Sequence, residues 1–411
     1  MMKSERMIIG MTGKMIPLMV LSVLALLLCL SCGSGSDGSG DEPDVPKEQP
    51  KLQINIYTPG HPVVTRADVG DVEGEKAEMT IHKLQIWVFE HSNGEKVAYL
   101  EDTNPMAQLR DTTGGAFLRG TYQLIVSNKF AEDRPAVDVF VLANGNQTGL
   151  QTFGENTTRS VLQGALMEEG CYGLTTFQTS VSETQGLPLS GRLNAAELGG
   201  VAPVLYVKNT VTVVRSVSKI RFIFSRNKPD AEDEGKDDLH ITKIDLDADM
   251  LPNSAYLFLS GQYTPRVYHL PDGIAYNSLK TLAEPVSMTI NQCATPAKYA
   301  FVSSLTGQEY ENLINSGITQ NELTQVGRFY FRESDRQMRG TIYYRIEDKT
   351  TNHVDDRKAT FKMNSAGDFS RNHTWIVYGY FAGSDNLQIT SVKISPWEEV
   401  PGDNSHEVYN W

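Results

Sequence analysis

Arg66 is the residue of this chain best placed for chemistry, and that chemistry is done to it rather than by it. Pro59, Gly60 and Pro62 break regular structure ahead of it, and Val63-Val64-Thr65-Arg66-Ala67 follows as a short, open run. A trypsin-like, arginine-specific protease can reach such a bond, and cleavage would leave Ala67 as a new N-terminus. Ahead of the breakers, Leu52, Ile54 and Ile56 alternate with Gln53, Asn55 and Tyr57, the period of two that marks a half-buried strand. One cut would therefore release a strand with a sticky face, leaving a hydrophobic gap that accepts a strand from another copy. The plainer alternative is a solvent-exposed arginine in a linker.

Groups that could act as catalysts or ligands are scattered. Asp245, Asp247 and Asp249 begin like a calcium loop. That loop needs Gly at its sixth position and Glu at its twelfth, where this chain has Met250 and Tyr256. On a strand these aspartates are expected to face water while Ile244 and Leu246 face inward. The 8 histidines include no pair at zinc spacing,. No serine sits in a nucleophile elbow, and the Gly-rich stretch from Gly33 to Gly40 follows no strand,. Arg371-Asn372-His373 is expected to form a turn whose side chains cap backbone groups at the start of a strand. No enzyme, metal site or cofactor is expected.

The elements that must position Arg66 are strands. A chain of 411 residues with 40% hydrophobic content can bury two cores,. Its net charge of −13 and pI near 5.2 exclude a nucleic-acid partner, which would need a basic face,. Residues 1–32 read as a targeting segment. Lys3, Arg6 and Lys14 precede an apolar run from Ile16 to Leu30, which is short for a membrane span. It ends in Leu30-Ser31-Cys32-Gly33, similar to a bacterial lipobox with Cys32 as the lipidated residue, although Cys29 stands where leucine is usual. Cleavage without lipid is the alternative. Residues 33–50, rich in Gly, Ser, Pro and acid, form a flexible tether,.

Beyond it, strands are expected at Leu84–Phe89 (apolar on both faces), Lys96–Leu100, Thr121–Ser127 and Val137–Ala143. Ser92-Asn93-Gly94-Glu95 supplies a hairpin turn. Thr158–Met167 reads as a helix with a Thr cap. Further strands follow within Val211–Phe224 and at Ile241–Asp247, Ala297–Val302, Arg328–Phe331, Thr341–Ile346, Thr374–Phe381 and Ile389–Ile394. Short strands at this spacing predict an all-β fold of two sandwiches in tandem with few short helices. The expected division is 51–204 and 205–411, near Val204. Cys29 and Cys32 lie in the leader, so the chain is no disulfide scaffold. Spacing leaves open whether Cys171 meets Cys293.

Six motifs in order then carry a resemblance: Leu84-Gln85-Ile86-Trp87-Val88-Phe89, Val139-Phe140-Val141-Leu142-Ala143-Asn144, Leu187-Pro188-Leu189-Ser190-Gly191, Arg215 to Lys219-Ile220, Arg371-Asn372-His373-Thr374-Trp375 and Ser395-Pro396-Trp397. The series resembles the fimbrillin family of Bacteroidetes, the FimA/Mfa-like pilins. The resemblance implies transthyretin-like sandwiches, export as an outer-membrane lipoprotein, trimming after Arg66 on the cell surface, and assembly with other copies and related fimbrial subunits by strand exchange. It further implies surface fimbriae that adhere to host or bacterial ligands. The segment 398–411, with apolar Val400, Val408 and Trp411, is the candidate donor tail, which favours a stalk-type subunit over a tip. The competing reading is a glycan-binding surface lipoprotein that does not polymerise.

Overall fold

Strand β1 (Lys51–Pro59) keeps the expected alternation: Leu52, Ile54 and Ile56 are buried, Gln53 and Tyr57 half-buried, and Asn55 exposed. The computed structural model describes residues 48–59, 80–111, 117–145, 150–168, 186–227, 236–264, 267–276, 280–283, 288–289, 292–293, 324–362, 369–381, 387–394 and 407–410. The chain is all-β, with two sandwiches in tandem.

In the first sandwich β1 is joined by β2 (Leu84–Glu90) and β3 (Lys96–Asp102), a hairpin whose turn places Gly94 at φ +75. The left-handed conformation there suits glycine. Next come β4 (Arg110–Asp111), β5 (Phe117–Ile125), β6 (Val137–Ala143) and the short β7 (Leu166–Met167). β8 (Leu189–Ala196), β9 (Leu198–Val201), β10 (Val204–Val207), β11 (Val211–Thr212) and β12 (Val214–Arg215) complete the set. One sheet has the order β4-β5-β1-β10-β9, with β11 also on β1; the other has the order β12-β8-β6-β2-β3.

The apolar character of both faces of β2 and β6 has a direct cause. Leu84, Ile86, Val88, Val139 and Val141 share a core with Leu52, Ile54 and Ile56. Trp87, Phe89, Phe140 and Leu142 point the other way, into a core shared with the second sandwich. Phe258 meets Phe140 edge-on at 5.3 Å between centroids, and Phe153 lies 6.4 Å from both Phe258 and Trp87.

Helix α1 (Asn128–Asp133) starts at Ser127, whose side chain accepts from the Phe130 amide. Helix α2 (Arg159–Gln163) uses Thr158 in the same way, accepting from Val161. The helix expected through Met167 stops at Gln163. Gly164 ends it, and Leu166–Met167 instead pairs with a strand of the second half.

The second sandwich contains β13 (Ser218–Asn227), β14 (Asp237–Leu246), β15 (Ala255–Tyr256), β16 (Lys280–Ala283), β17 (Met288–Thr289) and β18 (Gln292–Cys293). It continues with β19 (Thr324–Phe331), β20 (Arg339–Asp348), β21 (His353–Lys362), β22 (Thr374–Phe381), β23 (Leu387–Ile394) and β24 (Glu407–Asn410). Its sheets have the orders β18-β13-β22-β23-β24 and β16-β14-β20-β21. Strands β10 to β12 pair within the first sandwich and β13 opens the second, so the change of sheet falls at Ser216–Val217, later than Val204.

One polar expectation is corrected, and another, the turn at Arg371-Asn372 ahead of β22, is met with more distant partners than expected. Asp245 does not face water: it is 2% exposed, and Lys243 Nζ lies 2.7 Å from its carboxylate. The ladder between β14 and β16 shifts register between Ile244 and Asp245, which breaks strict alternation,. Arg371 does bond backbone carbonyls, but of a distant segment. It donates to Tyr256 O at 2.6 Å and Leu257 O at 2.9 Å, and pairs with Glu333 at 2.6 Å.

The Arg371–Glu333 pair is fully buried. Burial pushes the Glu333 carboxyl up, but the Arg371 guanidinium and His269 more than offset this and hold it at about 2. Removing one partner of such a pair strands the other, so Arg371→Ala is expected to cost about 3–5 kcal/mol in denaturant unfolding. The folded-state value lies below the ordinary one, so the carboxylate's contribution is present above the usual carboxylate range. The stability gap between the native chain and Glu333→Gln should narrow as pH falls towards about 2.

Candidate functional site

The candidate site is the slot that holds β1. On one side, all of β1 from Lys51 to Pro59 pairs antiparallel with β5, Lys51 opposite Ile125 and Pro59 opposite Phe117. On the other side the pairing is parallel and interrupted. Lys51 to Gln53 lie opposite Val204 to Tyr206, and Ile56 and Tyr57 lie opposite Val211 and Thr212. Lys51 N donates to Pro203 O at 2.8 Å, and the Val213 amide donates to Tyr57 O at 2.8 Å. Parallel pairing is slightly weaker per residue, so β5 is the firmer wall.

Among the described residues every partner of β1 is remote in sequence, and none forms a tight hairpin with it. Without it the sheet would fall into two pieces, β4-β5 and β10-β9, with β11 also losing its partner. The slot floor is aliphatic: Leu52, Ile54 and Ile56 are 0%, 0% and 1% exposed against Leu84, Ile86, Val88, Val139 and Val141. At roughly 1.5–3 kcal/mol per buried aliphatic side chain, these three contribute about 5–9 kcal/mol. On the outer face Thr121 Oγ1 donates to Asn55 Oδ1 at 2.8 Å, and the Arg119 guanidinium lies 5.2 Å from the centre of the Tyr57 ring.

Of the other residues singled out from the sequence, Arg66, Ala67, Cys32, Val400 and Trp411 lie outside the described residues, as does the strand expected at Ala297–Val302. Val408 is in β24, opposite Val392 of β23, at the outer position of its sheet. The slot is thus filled by Leu52, Ile54 and Ile56; of its walls, β5 overlaps the strand expected at Thr121–Ser127 and β11 lies within Val211–Phe224, while β10 was missed. Val204-Leu205-Tyr206-Val207 does carry a signal, since Leu205 and Val207 are buried between exposed Val204 and Tyr206. No group of His, Cys, Asp and Glu among the described residues could hold a metal ion, and no described helix is long and apolar enough to cross a membrane.

No family model and no curated protein matches the chain. Solved structures do match. A fimbrial assembly protein from Parabacteroides distasonis aligns over 88% of this chain and 100% of its own, at 13% identity and a TM-score of 0.44. A fimbrilin from Porphyromonas gingivalis W83 aligns over 88% and 97%, at 12% identity and a TM-score of 0.43. The tip fimbrial protein of Porphyromonas gingivalis aligns over 88% and 100%, at 12% identity and 0.40. The chain is similar to fimbrial proteins.

The slot's energetics are open to a direct check. Ile54 faces the shared core in the middle of β1, so Ile54→Ala should lower unfolding stability by about 2–5 kcal/mol. Asn55, one residue on and exposed, should tolerate Ala within about 0.5 kcal/mol. Chemical denaturation of the two variants side by side measures the difference.

Proposed function

We propose that this protein is a fimbrial subunit whose first strand is a removable plug. The observation that carries the reading is the placement of β1: a strand in the middle of its sheet, sealed by three aliphatic side chains, and followed in the chain by Arg66. On this reading the chain is exported as a lipoprotein through Cys32 and reaches the outer membrane's surface. An arginine-specific protease then cuts between Arg66 and Ala67. Lipid and β1 leave together, and the vacated slot takes a strand from a neighbouring copy or a related subunit.

The magnitudes support the order of events. A replacement strand with three aliphatic residues in register recovers about 5–9 kcal/mol. Ladder hydrogen bonds add roughly 0.5–1.5 kcal/mol each. Association costs on the order of 4–15 kcal/mol, so an incoming strand competes poorly while β1 is resident and well once it has gone. The joint is strand addition used as a polymer bond. An occupant that reproduces the β1 ladder runs antiparallel to β5 and parallel to β10 and β11. We assign 398–411 as the donor and favour a stalk position: β24 occupies an outer place in its sheet with a ladder of four residue pairs, so little holds it there.

N-terminal sequencing of material from the cell surface tests this against the competing lipoprotein. A start at Ala67 is expected, whereas a glycan-binding lipoprotein that does not polymerise would start at Cys32. Arg66→Ala should leave export intact and abolish high-mass, heat-stable ladders on gels. Ladders that persist in that variant would overturn the proteolytic trigger.

A further inference from the structure

On the outer face of the first sandwich lies a cleft of about 510 Å³ that the strand-exchange reading does not use. Asn55, Tyr57, Arg119, Thr121, Thr212 and Gln262 line it, so its walls come from β1, β5, β11 and a segment of the second half. The volume lies within the range of roughly 300–1,000 Å³ common for small-ligand sites. We propose that this cleft binds a saccharide that carries a carboxylate.

The chemistry of the lining selects that class. Two carboxamides, Asn55 and Gln262, and two hydroxyls, Thr121 and Thr212, offer donors and acceptors side by side, which suits the vicinal hydroxyls of a pyranose. Asn55 is held in place by its bond from Thr121. The Arg119 guanidinium lies beside the Tyr57 ring, an arrangement that orients the fork while its N–H groups stay available. No carboxylate among the described residues pairs with Arg119, in a chain whose net charge is −13. A guanidinium kept from internal carboxylates is matched best by a carboxylate from outside. A neutral sugar would leave Arg119 unanswered, and a simple carboxylate would leave the amides and hydroxyls unused.

The site also depends on strand occupancy. Asn55 and Tyr57 belong to β1, so the cleft is whole only while that strand is seated. A ligand that binds the filled form alone stabilises it by mass action, so it would retard loss of β1. This last consequence rests on the proposed release of β1; binding to the intact chain does not.

The test is titration of the intact full-length chain with 3′-sialyllactose, lactose and acetate, followed by calorimetry or ligand-observed NMR. Sialyllactose should bind at least about tenfold more tightly than lactose or acetate, a difference a charge-assisted bidentate contact can supply. Arg119→Ala should abolish that preference, and Gln262→Ala, which removes no β1 ladder bond, should weaken sialyllactose without changing the folded signal. Equal affinity for sialyllactose and lactose, or a preference that survives Arg119→Ala, would overturn the site. Acetate binding as well as sialyllactose would reduce it to an anion site and overturn the saccharide assignment. Material cut after Arg66 and freed of β1 should lose binding. Retained binding there, with the intact chain behaving as expected, would overturn only the dependence on the strand.

Discussion

The central constraint in this structure is that one strand, β1, joins two parts of a sheet that have no other ladder between them among the described residues. Its pairing with β5 covers its whole length, while β10 and β11 meet it in two short parallel stretches. Inward, Leu52, Ile54 and Ile56 complete the core between the two sheets. Burial of the aliphatic face and closure of the ladders are thus one event. Neither can be kept if the other is lost, because unpaired backbone groups and exposed aliphatic surface appear together.

The joint between the sandwiches lies on the other sheet. Trp87, Phe140 and their neighbours on β2 and β6 meet Phe258, and Ser190 on β8 donates to Leu257 O at 2.6 Å. The Arg371–Glu333 pair holds the same 256–257 segment from the second sandwich.

Several elements were legible from local pattern. β1, β2, β6 and β22 follow from alternation or apolar runs, and the hairpin after β2 from Asn93-Gly94. Local pattern failed where tertiary packing sets the rule. β21 is absent from the expected strands, yet Arg339 to Asp348 pair with it along its length; charge on an outermost strand blunts its edge without preventing pairing. Thr158–Met167 has helical spacing, but its last residues find a better partner in β15. Asp245 is buried by a register shift that no spacing announces. The β10 part of the slot's second wall was missed because that strand is short and reaches β1 by parallel pairing across more than a hundred residues of chain.

The sequence by itself determined that a strand with one apolar face precedes a basic residue flanked by breakers, and that the chain is built of short strands. Those are local properties, written in alternation, turn residues and composition. Only the tertiary structure decided that this strand sits in the middle of a sheet rather than at its edge, and which strands flank it. It also decided that Arg119 and Tyr57 meet across the ladder beside Gln262. Strand partners are chosen by packing between residues far apart in the chain, and a periodicity of two says which face is buried without saying against what.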